Sequence, residues 1–138
     1  MEVSATVVSR AGAHEARIAT DGAARSLEIP PKEGAIGSSA NGGELLALAL
    51  ATCYGNDVIR EAGRAGIPVD AVRVTAHARF GAAGEPGTGL RYEVEVVSRA
   101  DPAEVEALLR HTDEVAEIHT TLRVGTPVRL EAVRVVDA

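Results

Sequence analysis

The sequence predicts an α+β domain, and three observations carry that reading. Apolar and polar residues alternate with period two through residues 1 to 29, and again in two stretches between Pro68 and Val97. Between them, Glu44 to about Ala65 is a run of Leu, Ala and other good helix formers. The resulting order is strands, one helix, two strands, a second helix and a last strand, without the alternating rhythm of a parallel βαβ sheet. At 138 residues the chain is the length of one ordinary domain, so residues 1–138 read as a single unit, with no internal repeat or low-complexity segment.

The elements follow in order. Val3, Ala5 and Val7, then Ala16 and Ile18, face away from polar neighbours, and Asp21-Gly22 supplies a hairpin turn, so residues 1 to 29 hold two or three antiparallel strands. Pro30 and Pro31 end that unit, and the glycines and serines from Gly34 to Gly43 form a flexible loop. The helix that follows closes at Gly66, the residue type expected just past a helix end. Its first half, Leu45 to Ala51, is apolar on every side, which predicts a central buried element. Val72, Val74, Ala76 and Ala78 mark one strand, Tyr92, Val94 and Val96 its partner. The glycine-rich stretch Gly81 to Gly89 between them reads as a hairpin loop, because it lacks the Lys-Ser/Thr ending of a phosphate cradle. Asp101-Pro102-Ala103-Glu104 opens a second helix to about Val115, with Val105, Leu108, Leu109 and Val115 along one face. Pro127 to Val136 then alternates Val128, Leu130 and Val133 against Arg129, Glu131 and Arg134, with one slip near Ala132, and predicts a closing strand.

Composition narrows the function. Aromatics are only 2% of the residues, so the core is built from Ala, Val, Leu and Ile and is short of large contact areas, which favours burial of further apolar surface against a second copy. The formal charge of −6, with no run of Lys or Arg, argues against nucleic acid. The longest uncharged apolar run, Leu45 to Tyr54, is about half the roughly 20 residues that span a bilayer. No secretory signal opens the chain, and a single cysteine excludes an intrachain disulfide, so a reducing, cytoplasmic setting is expected.

Cys53 is the residue whose chemistry stands out. From the residues alone it reads first as a small core hydrophobe, since it lies two to three turns inside its helix, beyond help from that helix's own dipole. His14, His77, His111 and His119 show no metal-binding spacing, and no hydrolase motif accompanies them, so neither a metal nor a cofactor is expected. Glu44 and Asp57 flank the helix and read as caps or solvated acids, with Arg10, Arg17 and Arg123 as surface cations able to pair with them.

The stretch Asn41-Gly42-Gly43-Glu44-Leu45-Leu46-Ala47-Leu48-Ala49-Leu50-Ala51-Thr52-Cys53 closely resembles the motif of the OsmC/Ohr family, whose Glu-Leu-Leu-x-x-Ala-Leu-x-x-Cys helix carries a reactive thiol. Residues Ala65 to Val74 resemble the family's passage from the long helix into the next strand, and Thr120 to Val128 its C-terminal signature. The resemblance implies an OsmC-like α+β fold, with antiparallel sheets around a long buried central helix in an intertwined homodimer. It further implies a thiol-dependent reductase of organic hydroperoxides acting in oxidative-stress defence, with a small-molecule hydroperoxide and a thiol reductant as partners and sites at the subunit interface. In that chemistry one cysteine is oxidised to sulfenic acid and a second resolves it as a disulfide.

Two departures from the family pattern matter. The second cysteine falls at Ala116, which has no thiol, so an intramolecular resolving disulfide is excluded. The activating glutamate falls at Gly43, and Glu44, nine residues before Cys53, is turned by roughly 180° and displaced by roughly 13 Å along a regular helix, so only the Glu44 of a second chain can reach the thiol. The resemblance thus implies Cys53 as a one-cysteine peroxidatic residue, with Arg17 or Arg10 stabilising its thiolate and Glu44 orienting that arginine. The competing reading is a redox-inactive dimer of the same fold that binds a small hydrophobic ligand.

Overall fold

The computed structural model describes residues 1–136 and resolves into two compact units, Met1–Leu46 and a second that begins at Ala47. The first is a three-stranded antiparallel sheet of β1 (Val3–Arg10), β2 (Ala13–Thr20) and β3 (Ala23–Leu27), in the order β1-β2-β3. Its second turn is the predicted Asp21-Gly22, where φ is 47° and 81°, the left-handed pair that lets a two-residue hairpin follow the strand twist. Both faces of this sheet are sparsely covered. Ala16 is its one buried apolar residue, while Val3 and Val7 are exposed.

Helix α1 (Gly42–Ala65) starts in the first unit and runs on into the second. Its start is fixed by a reciprocal cap: the Glu44 N–H donates to Asn41 Oδ1 at 2.8 Å, and the Asn41 N–H donates to Glu44 Oε2 at 3.2 Å. Its end is fixed by Gly66 at φ 68° and by the Ile67 N–H reaching back to the Ala62 carbonyl at 2.9 Å.

In the second unit, β4 (Ala71–Arg79) and β5 (Thr88–Val97) form an antiparallel hairpin with a bulge between His77 and Arg79. The pairs Val72↔Val96, Val74↔Val94 and Ala76↔Tyr92 set one face of this hairpin. Val72, Val74, Tyr92, Val94 and Val96 pack on Tyr54 and Val58 of α1. Helix α2 (Pro102–Val115) opens on Asp101, whose Oδ1 accepts the Ala103 N–H at 2.9 Å. It ends at Ala116, which is extended and completely buried, and α3 (Glu117–Arg123) starts directly after it.

Two expectations need revision, and a third is met only in part within one chain. Helix α3 was not anticipated: at seven residues, with Ile118, Thr120 and Thr121 β-branched, it carries no periodic signal of its own. The closing strand over Pro127 to Val136 is not formed. Those residues lack strand structure, and Val128, Leu130, Val133, Val135 and Val136 are exposed. An alternating segment becomes a strand only when it pairs with an edge that supplies the ladder hydrogen bonds, and among the described residues this segment pairs with none. Finally, α1 is buried along one face only, through Leu50, Tyr54, Asp57, Val58, Glu61 and Ala62. Leu48 is 56% and Ile59 53% exposed, so much of the apolar surface that predicted a central helix lacks a cover within one chain.

Candidate functional site

Cys53, Asp57 and Arg60 follow one another at i, i+4 and i+7 on α1, so one face of the helix presents a thiol, a carboxylate and a guanidinium in line. The chain turns at Ala116 between α2 and α3, which brings Glu117 to the same face. The Cys53 thiol donates to Asp57 Oδ2 at 3.5 Å and lies 4.0 Å from Glu117 Oε2. Arg60 Nη1 donates to the remaining oxygen of each acid, Asp57 Oδ1 at 2.9 Å and Glu117 Oε1 at 3.2 Å. Arg60 Nε donates to Glu61 at 2.9 Å, and Glu61 also accepts from Arg64 at 3.0 Å and lies 3.4 Å from His111 Nε2.

The electrostatics follow from this arrangement. Burial pushes the Cys53 thiol up from its ordinary value, and the carboxylates of Asp57 and Glu117 push the same way, against a lowering contribution from the Ile118 backbone N–H. Burial and the neighbouring Glu117 raise Asp57. The exposed Glu117 is lowered, by its own backbone N–H, by Asp57 and by Arg60. Of the two acids, therefore, Asp57 is the one that holds a proton more readily.

Among the described residues, the sulfur of Cys53 and one oxygen each of Asp57 and Glu117 lie within 4.8 Å of one another, but both carboxylates are already paired with the Arg60 guanidinium.

Behind the thiol, Cys53 packs against a buried cluster of Tyr54, Val58 and Ala116. Position 116, where the resemblance puts a second cysteine, thus belongs to the packing around Cys53. The Tyr54 hydroxyl donates to the Leu109 carbonyl at 2.7 Å, and its ring stacks at a tilt on Tyr92 at 4.7 Å. The Tyr92 hydroxyl donates to Asp113, whose carboxylate also accepts from Arg123 at 2.7 Å.

His119 completes this aromatic group, 4.6 Å from Tyr92 and 5.7 Å from Tyr54 between ring centroids. It is 3% exposed, and neither ring nitrogen has a hydrogen-bond partner among the described residues. Burial and the Arg123 charge lower its affinity for a proton. A histidine depressed in the folded state binds more protons unfolded, so stability is full above the unfolded value of about 6.5. It declines as pH falls from there toward the folded value, by at most about 1.4 kcal/mol per pH unit. His119→Phe keeps the ring and removes the titration. Urea unfolding of this variant should show a flatter dependence between pH 6.5 and 4.5 than the parent; an unchanged slope would assign the acid sensitivity to another group.

The other residues singled out in the sequence lie elsewhere. Glu44 is engaged in the cap of α1, nine residues before Cys53 on an unbroken helix. Arg17 lies on β2 opposite Thr6 and Ser26 and lines a cleft of about 560 Å³ with His14, Leu27 and Pro30. Arg10 ends β1, and Arg123 is committed to Asp113. Asp57 is neither a helix cap nor solvated: it is 5% exposed in the middle of α1. Its i+4 spacing from Cys53, with Arg60 three residues on, was the signal available for it. Glu117 had none, because only the turn at Ala116 brings it across from α2 to α1.

Comparison with known proteins agrees with this fold. The profile of the OsmC-like protein family matches residues 35–131. The structure is similar to an OsmC-like protein from Mycoplasma pneumoniae, with a TM-score of 0.64 at 19% identity over 91% of this chain and 89% of that one. An organic hydroperoxide resistance protein OsmC from Legionella pneumophila superposes with a TM-score of 0.59 at 22% identity, over 89% and 90% of the two chains. The organic hydroperoxide resistance protein OhrB of Bacillus subtilis does so with a TM-score of 0.53 at 19% identity, over 88% and 92%. A search among curated proteins returned no match.

Proposed function

The chain belongs to the OsmC-like protein family, and on that premise we propose that it reduces organic hydroperoxides through Cys53 as its one redox sulfur. The observation that carries this reading is the placement of Cys53: half-buried on α1, hydrogen-bonded to a carboxyl group, and packed against the cluster that contains position 116. The thiol reduces the peroxide to an alcohol and becomes a sulfenic acid, and two equivalents of an external thiol return it to the thiol with release of water and a disulfide. Arg17 or Arg10 and the Glu44 of a second copy remain the groups expected to assist the thiolate, because the resemblance assigns those roles and one chain's Glu44 is too far along the helix.

The same reading includes a homodimer. Leu48 and Ile59 on α1 and the alternating residues Val128, Leu130 and Val133 leave apolar surface that a second copy would cover, the last segment by pairing as the strand its pattern predicts. No helix among the described residues is long and apolar enough to cross a membrane, and a cytoplasmic, reducing setting would keep the single thiol available.

Intact-mass spectrometry after brief exposure to cumene hydroperoxide tests the function, with and without a dithiol. The parent should gain one oxygen that the dithiol removes with continued peroxide consumption, and Cys53→Ser should do neither. A Cys53→Ser protein that consumes peroxide as fast as the parent would refute the reading.

One observation favours the alternative, a redox-inactive dimer that binds a small hydrophobic ligand: burial and the two carboxylates that face the sulfur push its thiol up, away from the thiolate. An unmodified Cys53 at peroxide concentrations that oxidise an ordinary exposed thiol would select it.

A further inference from the structure

Resting on the reading of Cys53 as the reacting sulfur, we propose that Asp57 is the general base of this site, taking the Cys53 thiol proton and returning it to the alkoxide that leaves the peroxide. The thiol already points its proton at Asp57 Oδ2, 3.5 Å away. Asp57 is rigidly placed one turn along the same helix, with its side chain 7% exposed and its other oxygen tied to Arg60. Glu117 is farther from the sulfur, at 4.0 Å, and its side chain is 65% exposed, so it supplies charge and an anchor for Arg60 in place of a fixed proton acceptor.

The physical reason is conservation of charge. Loss of the thiol proton to water leaves an extra negative charge beside Asp57 and Glu117 and is opposed by burial. Transfer from Sγ to Asp57 moves the negative charge by one hydrogen bond and leaves the net charge of the site unchanged. The charged groups around the pair are Arg60 and Glu61 on α1 and Glu117 on α3, with Arg64 and, from α2, His111 acting on Glu61.

The step balances. The thiolate attacks the distal peroxide oxygen, the S–O bond forms as the O–O bond breaks, and sulfur loses the two electrons that the peroxide gains. The alkoxide takes the proton from Asp57, so that Cys–SH and ROOH become Cys–SOH and ROH.

A carboxylate acting only as a nearby negative charge predicts the opposite sign for its removal, and this makes the role testable. Alkylation of Cys53 by the neutral reagent iodoacetamide, followed from pH 5 to 9, reads thiolate without peroxide. With Asp57 as base, the parent should show a pH-independent plateau at about pH 5–7, since the proton stays within the pair. Asp57→Asn should lose that plateau, with a rate that rises about tenfold per pH unit as for an isolated thiol. Its sulfenic acid formation from cumene hydroperoxide should slow by about 10²-fold. Glu117→Gln, which removes a negative charge from beside the sulfur and leaves Asp57 in place, should keep the plateau and react faster. An Asp57→Asn protein that alkylates and oxidises as fast as the parent or faster at every pH overturns the proposal, as does a parent without a plateau, which requires no variant to fold. A parent that keeps the plateau but leaves peroxide untouched refutes the peroxidase reading and the return of the proton to an alkoxide, while the transfer within the pair stands.

Discussion

On the proposed peroxide chemistry, Ala116→Cys is expected to convert a site that stops at sulfenic acid into one that closes a disulfide on Cys53. Ala116 is completely buried at the joint between α2 and α3, in the cluster against which Cys53 packs, and it occupies the position where the family resemblance places a second cysteine. On the proposed reading, the parent's sulfenic acid waits for a thiol from solution. In the variant, a thiol held in the same cluster reacts as a neighbour, and intramolecular reactions of oriented groups gain orders of magnitude over their bimolecular counterparts. After one equivalent of cumene hydroperoxide, intact mass should fall by two hydrogens instead of rising by one oxygen. Turnover with a dithiol should rise by about tenfold or more. The added sulfur overpacks a full site and should cost about 1–3 kcal/mol of stability. If the oxidised variant retains a free thiol and a sulfenic acid, the two positions do not meet, and the assignment of position 116 as the missing resolving site fails.

Tyr54→Ala should be the most damaging substitution for folding. Tyr54 is 2% exposed, covers Tyr92 and His119 with its ring, and ties α1 to α2 through its hydroxyl on the Leu109 carbonyl. Truncating a buried aromatic of this size costs about 3–5 kcal/mol through lost burial and the cavity left behind, against a total stability of about 5–15 kcal/mol for a domain. Tyr54→Phe keeps the ring and removes only the hydroxyl's hydrogen bond to a carbonyl that lies within α2, for about 0.5–1.5 kcal/mol. Urea denaturation of the three proteins separates the two contributions. A Tyr54→Ala midpoint equal to that of Tyr54→Phe would mean that the ring contributes little and the hydroxyl nearly everything.

Tyr54 and Cys53 are adjacent in sequence, yet they mark two kinds of information. The elements whose signals are local were legible: the Asp21-Gly22 turn, the Asp101-Pro102 start of α2, and the extent of α1 up to Gly66 each depend on residues within a turn or two of one another. Cys53 on α1, and Ala116 at the position of the family's second cysteine, were singled out through the motif. The elements that depend on distant partners were not. The alternation from Pro127 to Val136 is a strand pattern, but a strand requires an edge to pair with, and sequence pattern does not supply one. Helix α3 is too short to announce itself by periodicity and exists where the chain turns at Ala116.

The environment of Cys53 divides in the same way. Its place on a long helix, and Asp57 and Arg60 on the same helical face, follow from the linear order of residues and the 3.6-residue turn. That Glu117, 64 residues away, brings a second carboxylate to the sulfur was decided by the tertiary structure alone, through the packing of a buried Ala116 against α1. Whether a thiol there is acidic or inert depends on charges within a few ångströms and on burial, and both are properties of neighbours in space.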